Sequence, residues 1–292
     1  MNERRRGLLY TAGGVLALTP DAVLIKLAGL PASGIFFWRG MLVALVLLAG
    51  FAAVRRGGTL AGLLAIGRPG IGSALCYAVG TGCFVAANTL TVAANVLVIV
   101  ATAPLFSAVF AQLLLGERTA PRTWFASLVA IAGVALVAGE QVALDAGLGE
   151  LLALGCAILV SLNFVIIRGA RAVSMIPATV LGSFMVGCAG MFFLELPPDD
   201  TGWAATLLAG LVFIPLAYAG LTAGPRWLPS AEVGLLMLLE TVIGPVWVWL
   251  AIGEQPTRLG LVGGAVILGA LAVNTWLGER RAPPAGKIAP ET

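Results

Sequence analysis

Apolar residues occur along this chain in runs of about twenty, separated by short polar segments. A helix of about 20 residues, rising 1.5 Å per residue, crosses a hydrocarbon core of about 30 Å. The pattern therefore predicts ten membrane-spanning helices. Their predicted bounds are Gly7 to Leu27, Ile35 to Val54, Pro69 to Ala87, Ala93 to Leu115, Thr123 to Ala138, Glu150 to Ile167, Pro177 to Leu194, Gly202 to Ala219, Pro229 to Leu250 and Gly260 to Leu277.

The composition agrees with a membrane protein. Of the 292 residues, 60% are apolar (AVILMFWYC) and 11% are charged, which excludes an ordinary water-soluble protein. Arg4, Arg5 and Arg6 precede the first span as they would precede a cleaved signal peptide, but this apolar stretch is too long for one. We expect a retained first helix, and a disordered cytoplasmic tail over residues 281–292.

The basic residues predict the orientation, because Lys and Arg are retained on the cytoplasmic side. With the N-terminus inside, only Lys26, Arg39 and Arg258 of the 17 basic residues fall on the outer side. The other 14 are Arg4, Arg5, Arg6, Arg55, Arg56, Arg68, Arg118, Arg122, Arg168, Arg171, Arg226, Arg280, Arg281 and Lys287. Both termini are predicted to be cytoplasmic. The net charge of +3 reflects this topology, and no nucleic-acid partner is predicted.

An internal repeat is visible at about half the chain length. A shift of 137 residues places Gly116-Glu117 on Gly253-Glu254, each at the end of an apolar span, and a shift of 142 places Ile25-Lys26 on Ile167-Arg168. Each half holds five predicted spans, so the second half must enter the membrane from the opposite face. Inverted repeats are typical of secondary transporters that work by alternating access. The alternative is a duplicated ten-helix bundle with another role.

The fourth span begins with Ala93-Ala94, contains Pro104 and is followed by Gly116-Glu117, and its counterpart in the second half has Ala231 and then Gly253-Glu254. In this pattern the chain resembles the drug/metabolite transporter superfamily, in particular its ten-helix members built from two EamA-type repeats. The fourth helix of each family repeat has an alanine-rich start, a mid-helix proline and a terminal Gly-Glu. Arg39 matches the arginine that opens the second helix. The family's Glu-Pro in the ninth helix is replaced here by Glu240-Thr241, with a proline only at Pro245.

The resemblance implies an all-α membrane protein of two inverted five-helix repeats, residues 1–140 and 147–280, in the bacterial inner membrane. It also implies export of small metabolites through a cavity built by helices one, three, four, six, eight and nine. Similarity to the aromatic amino-acid exporter branch implies aromatic and neutral amino acids as substrates. Export of cationic drugs or other metabolites is the alternative.

Two acidic residues inside the predicted spans are the first candidates for a site. Glu240 falls near the bilayer midplane, where a charge costs about 3 kcal/mol or more and therefore faces a cavity or a partner. It is a candidate for proton coupling or amine binding, or for a structural hydrogen bond between helices. Asp21 directly follows Pro20 and is expected to form a structural ion pair with Lys26 or Arg39.

Other polar, aromatic and proline residues complete the candidates. Buried amides need partners, so Asn95 and Asn163 either bond to neighbouring helices or line the cavity. The aromatic residues either wall the pocket or anchor the chain at the membrane interface; they are Trp38, Tyr77, Phe84, Tyr218 and Trp247. Prolines interrupt helix hydrogen bonding, and the candidate hinges are Pro20, Pro104, Pro215 and Pro245.

Missing motifs restrict the chemistry that we expect. The chain has no His, no phosphate-binding G-x-x-x-x-G-K-[ST] loop and no G-x-S-x-G elbow, so we predict no enzyme, no cofactor and no metal. The rivals from other classes are a channel and an intramembrane enzyme. The expected partners are a small-molecule substrate and the lipid bilayer, with the chain as a monomer and a dimer as the alternative.

Overall fold

The computed structural model describes residues 3–55, 58–91, 93–138, 147–193, 195–253 and 258–280. Over these residues the fold is helical. Its α-helices are α1 (Glu3–Leu18), α2 (Asp21–Ala28), α3 (Ala32–Arg55), α4 (Thr59–Leu64), α5 (Gly67–Leu90), α6 (Ala93–Val100), α7 (Ala103–Leu115), α8 (Pro121–Ala138), α9 (Leu148–Gly169), α10 (Ile176–Gly190), α11 (Asp200–Leu208), α12 (Ile214–Ala223), α13 (Ser230–Met237), α14 (Leu239–Ile252) and α15 (Arg258–Arg280). The predicted tail, residues 281–292, lies outside the described residues.

Eight stretches of the described chain are long and apolar enough to cross a membrane. Two further apolar helices, Pro121–Val137 and Ile176–Gly190, are shorter than the other spans. The count of ten therefore stays a prediction at these two helices. The short α4 was not predicted, because its six residues lie between two apolar spans and carry no separate periodic signal.

Three of the spans are interrupted. The first breaks between α1 and α2 at Thr19-Pro20, the fourth between α6 and α7 at Ala101-Thr102, and the ninth between α13 and α14 at Leu238. Proline lacks the N–H that an inner helical turn needs, which accounts for the break at Pro20 and suits Pro104, the second residue of α7.

The other two candidate hinge prolines lie in different surroundings. Pro215 is the second residue of α12 and follows a π-helical turn, Ala209–Phe213. Pro245 lies inside α14, which continues past it. The break in this span therefore comes at Leu238, before the proline.

The repeated Gly-Glu has a conformational cause. Gly116 and Gly253 follow the last residues of α7 and α14 with φ of 67° and 83°. Only glycine adopts this left-handed conformation without a steric penalty, and it is the usual way to end a helix. The two positions thus end corresponding helices in the same way.

Close glycine contacts hold the main helix pairs together. A Cβ on Gly40 of α3 would collide with the backbone of Gly187 on α10, and one on Gly263 of α15 would collide with Gly133 of α8. Small residues of this kind let membrane helices approach closely and gain dispersion contacts. The pairs α3 with α10, α8 with α15, α5 with α9 and α1 with α12 pack extensively.

Two of the interrupted spans, the fourth (α6 and α7) and the ninth (α13 and α14), pack closely on each other at one end of the bundle. α13 packs on α7 and on α1, at the end where the chain begins, which we call the N-terminal end. Among the described helices, α6 packs on α9 and α8, α14 packs on α2 and α15, and α6 and α14 make hardly any contact with each other. Over the described residues, the fourth and ninth spans are therefore packed together at the N-terminal end and separated at the other.

Candidate functional site

A polar cluster joins the break in the first span to the helices around it. Arg39 on α3 donates from Nη1 to Oδ2 of Asp21 at 2.5 Å, and from Nη2 to the hydroxyl of Tyr218 on α12 at 3.3 Å. The ring of Tyr218 meets the ring of Tyr77 on α5 edge to face, with centroids 5.0 Å apart. Four helices thus contribute one side chain each to one connected group.

The local fold explains why Asp21 can be held inside the bundle. It is the first residue of α2, directly after Pro20, so its carboxylate lies at the positive end of that helix. The residue is 7% exposed, and its Oδ1 has no hydrogen-bond partner among the described residues. Nε of Arg39 is likewise buried without a partner. The pair therefore keeps one free acceptor and one free donor.

A small pocket opens beside this pair. It is lined by Asp21, Trp38, Arg39 and Thr206 together with apolar residues of α2, α3, α12 and the π-helical turn before α12, and its volume is about 20 Å³. Such a volume holds about one water molecule. In this conformation the pocket beside Asp21 and Arg39 has no room for a molecule larger than water.

Glu240 adds a second carboxylate near the cluster. It lies in the first turn of α14, just after the break at Leu238, and is half-buried. Over the described residues it forms no hydrogen bond and no ion pair, and it is within electrostatic range of Asp21 and Arg39. One guanidinium therefore faces two carboxylates, and Glu240 has no direct partner.

One of the two candidate asparagines, Asn163, forms a hydrogen bond between helices. Asn163 on α9 accepts a hydrogen bond from Ser73 Oγ of α5 at 2.5 Å, which ties two helices together. Asn95 lies on α6, and its side chain is outside the described part of the chain. The role of Asn95 stays a prediction.

The aromatic candidates do not form one wall. Trp247 of α14 donates to Thr19 Oγ1 at 2.9 Å and so bridges to the break in the first span. Trp38 bonds through Nε1 to the carbonyl of Glu195 and packs against Trp203, with centroids 5.1 Å apart. Phe84 is 40% exposed on α5. Of the five predicted aromatic residues, Tyr77 and Tyr218 are in direct ring contact.

The sequence did not indicate a second polar cluster, at the N-terminal end. Glu232 of α13 is 5% exposed and pairs with Arg4 at 2.7 Å and with Arg122 at 3.4 Å. Nearby, Arg168 pairs with Glu117 at 3.0 Å. The sequence feature that could have indicated this cluster is Glu232, an acidic residue three positions after Pro229, where a predicted span begins. Its partners are 228 and 110 residues away, a separation that no local pattern encodes.

Comparison with known proteins agrees with this architecture. The sequence profile of the EamA-like transporter family matches residues 5–139 and again residues 147–276. The chain belongs to the EamA-like transporter family. It is therefore related to multi-pass membrane transporters.

Two individual similarities support the same fold and family. A protein of Bacillus subtilis (strain 168) described as the uncharacterized transporter YdfC is 27% identical over 181 residues, or 59% of either chain. The match thus spans 59% of the length of that relative. One crystal structure has a TM-score of 0.79 at 21% identity, and the match covers 94% of this chain and 98% of the other. That likeness concerns the fold alone.

Proposed function

We propose that this EamA-like transporter exports small neutral and aromatic amino acids across the bacterial inner membrane by alternating access. Ten spans, two inverted five-helix repeats and cytoplasmic termini are part of the proposal. The two ranges that match the family, 5–139 and 147–276, support the division into repeats. The excess of Lys and Arg at one side supports the orientation.

The contact asymmetry of the interrupted helices carries the proposal. At a shift of 137 residues α6 coincides with α13, and α7 coincides within one residue with α14. The contact between α7 and α13 then has a counterpart in a contact between α14 and α6, and among the described residues only the first is extensive. Exchanging the conformations of the two repeats would make the second and break the first. Such an exchange opens a central site to the opposite side.

The free polar atoms favour a zwitterion as substrate. Nε of Arg39 lacks an acceptor, Oδ1 of Asp21 lacks a donor, and Glu240 has no direct partner among the described residues. A carboxylate and an ammonium group on one small molecule supply an acceptor and a donor together. The rings of Tyr77 and Tyr218 offer an apolar surface beside these charges. Entry requires the small pocket to widen, as expected of a site that opens in another conformation.

A specific observation favours a second class of substrate. The carboxylates of Asp21 and Glu240 lie near a single guanidinium, that of Arg39. With all three groups ionised, their net charge is negative. A cation without a carboxylate would be attracted by the same charges. Cationic drugs are therefore the second candidate.

The decisive experiment is uptake by proteoliposomes that contain the purified protein. Labelled Phe, Trp, Met, Thr and a lipophilic cation are offered with and without the unlabelled compound inside, at two values of pH. We expect saturable amino-acid uptake that internal substrate accelerates, as a carrier requires and an open channel does not. Uptake of the cation alone would support the second class, and a response to neither would contradict the proposal.

Matched variants connect this transport to the site. Arg39→Gln should abolish uptake while leaving the protein in the membrane. Arg258→Gln removes an exposed arginine at the start of α15 and should leave uptake unchanged. Equal uptake by Arg39→Gln and Arg258→Gln would mean that the substrate binds outside the site around Arg39.

A further inference from the structure

A cavity of about 370 Å³ lies at the N-terminal end of the bundle. Its volume falls in the range of small-molecule sites, about 300–1,000 Å³. None of its lining residues belongs to the group formed by Asp21, Arg39, Tyr77, Tyr218 and Glu240. Its charged lining residues are Arg4, Glu117, Arg118, Arg122, Arg168 and Glu232, which give it a net charge of +2.

Two helices begin at this cavity. α8 starts at Pro121 and α13 starts at Ser230, and residues from the first turn of each line the space. A helix N-terminus carries roughly half a positive charge and presents N–H groups that have no partner within the helix. The two termini therefore add to the positive field of the arginines.

Several polar atoms at the cavity are buried but lack partners. Ser230 is 0% exposed, and its Oγ forms no hydrogen bond within the described chain. The Nε atoms of Arg4 and Arg122 are also buried without a hydrogen-bond partner, because both arginines use Nη atoms to pair with Glu232. A buried polar group without a partner costs about 1–3 kcal/mol. A ligand that accepts several hydrogen bonds at once would remove this cost.

Arg168 already donates hydrogen bonds from two of its nitrogen atoms. Arg168 uses Nε for Glu117 and Nη1 for the carbonyl of Arg226 at 2.9 Å. Glu117 and Glu232 are the carboxylates that face the cavity, and the net charge of +2 includes them. The buried donors without a partner are on Arg4, Arg122 and Ser230, and the exposed Arg118 adds a further guanidinium to the lining.

We propose that this cavity binds a phosphate-class oxoanion, held by the guanidinium groups of Arg4 and Arg122 and the hydroxyl of Ser230. A phosphate oxygen accepts from guanidinium and hydroxyl donors and from the N-terminal turns of helices. A dianion also balances the net charge of the lining. The phosphate is either free in solution or part of a lipid headgroup.

Binding of inorganic phosphate to the purified full chain in a neutral detergent tests this site. Titration calorimetry is run at constant ionic strength with chloride as the reference anion. We expect saturable phosphate binding that weakens about tenfold or more in Arg122→Lys, which keeps the charge but removes the guanidinium donors. Ser230→Ala, which leaves every charge in place, should weaken binding several-fold.

An arginine outside the cavity provides the control. Arg171 is exposed and does not line the space, so Arg171→Lys should bind phosphate as the natural chain does. Equal binding by all four proteins, or no saturable phosphate signal above chloride, would overturn the proposal. Neither outcome depends on whether the chain transports amino acids.

The same titration in nanodiscs identifies the source of the anion. One set of discs contains phosphatidylcholine alone and the other adds phosphatidylglycerol. If the anionic lipid abolishes phosphate binding, the site holds a lipid headgroup; if phosphate binds equally in both, the ligand comes from solution. Either result supports the oxoanion site.

Discussion

Arg39 on α3 and Asp21 at the start of α2 form an ion pair whose Nη1 and Oδ2 atoms lie 2.5 Å apart. The two side chains are only 19% and 10% exposed, so each charge depends on the other for solvation. Removing one partner of a buried pair leaves an uncompensated charge and costs about 3–5 kcal/mol, whereas removing both costs much less.

A double-mutant cycle tests this dependence. Arg39→Gln and Asp21→Asn should each destabilise the protein by an amount at the lower end of that range, because some exposure remains. The double variant should unfold closer to the natural chain than either single variant does. Thermal unfolding in detergent measures all four proteins. If the two losses simply add, the residues act independently and the pair does not stabilise the fold.

Glu240 should determine the response of transport to a proton gradient. It lies near Asp21 and Arg39 and has no hydrogen bond within the described chain, so Glu240→Gln should fold normally. We expect exchange of substrate at equal pH to persist, while accumulation driven by a pH gradient falls to the level seen without a gradient. Proteoliposome uptake under both conditions measures this.

The control for Glu240 is a carboxylate of the same type outside the bundle interior. Glu195 is exposed, and Glu195→Gln should keep the natural response to the gradient. A Glu240→Gln protein that still accumulates substrate with the gradient would exclude Glu240 as the proton carrier. Glu240 would also be excluded as the proton carrier if transport by the natural chain did not respond to the pH gradient.

Trp247 should influence substrate affinity through its hydrogen bond to Thr19. Trp247→Phe keeps an aromatic ring but removes the Nε1 donor that reaches the break in the first span at 2.9 Å. Loss of one hydrogen bond should raise KM by about two- to tenfold. Trp249, 45% exposed on the same helix, is the control, and Trp249→Phe should leave KM unchanged. Equal KM values for the two variants would assign Trp247 to the membrane interface.

The helices themselves were largely predictable from the sequence. Apolar length identified the eight stretches that are long and apolar enough to cross a membrane. Two helix breaks lie next to Pro20 and near Pro104, as expected of a residue without an N–H, and a hinge role for these prolines stays a prediction. The break at Leu238 has no such marker, and Pro245 is tolerated inside α14. That interruption depends on packing with other helices, which one-dimensional patterns do not contain.

The candidate site was predictable in its residue types more than in its contacts. Asp21 was expected to pair with Lys26 or Arg39, because both lie near the same predicted membrane depth. In the structure Asp21 pairs with Arg39, whose side chain reaches it from α3. The partner of Asn163 was not predicted either, since Ser73 lies on another helix and a serine in an apolar span gives no distinctive signal.

Close packing of α3 on α10 should make Gly40 intolerant of even one methyl group. A Cβ at this position would overlap the backbone of Gly187, which cannot move aside as a side chain can. Gly40→Ala should therefore destabilise the protein by about 1–3 kcal/mol. Gly50 lies on the same helix, and an added methyl there meets nothing within 4 Å, so Gly50→Ala should be neutral or stabilising. Thermal unfolding of the two variants measures the difference, and equal stability would mean that α3 and α10 are not in contact at Gly40.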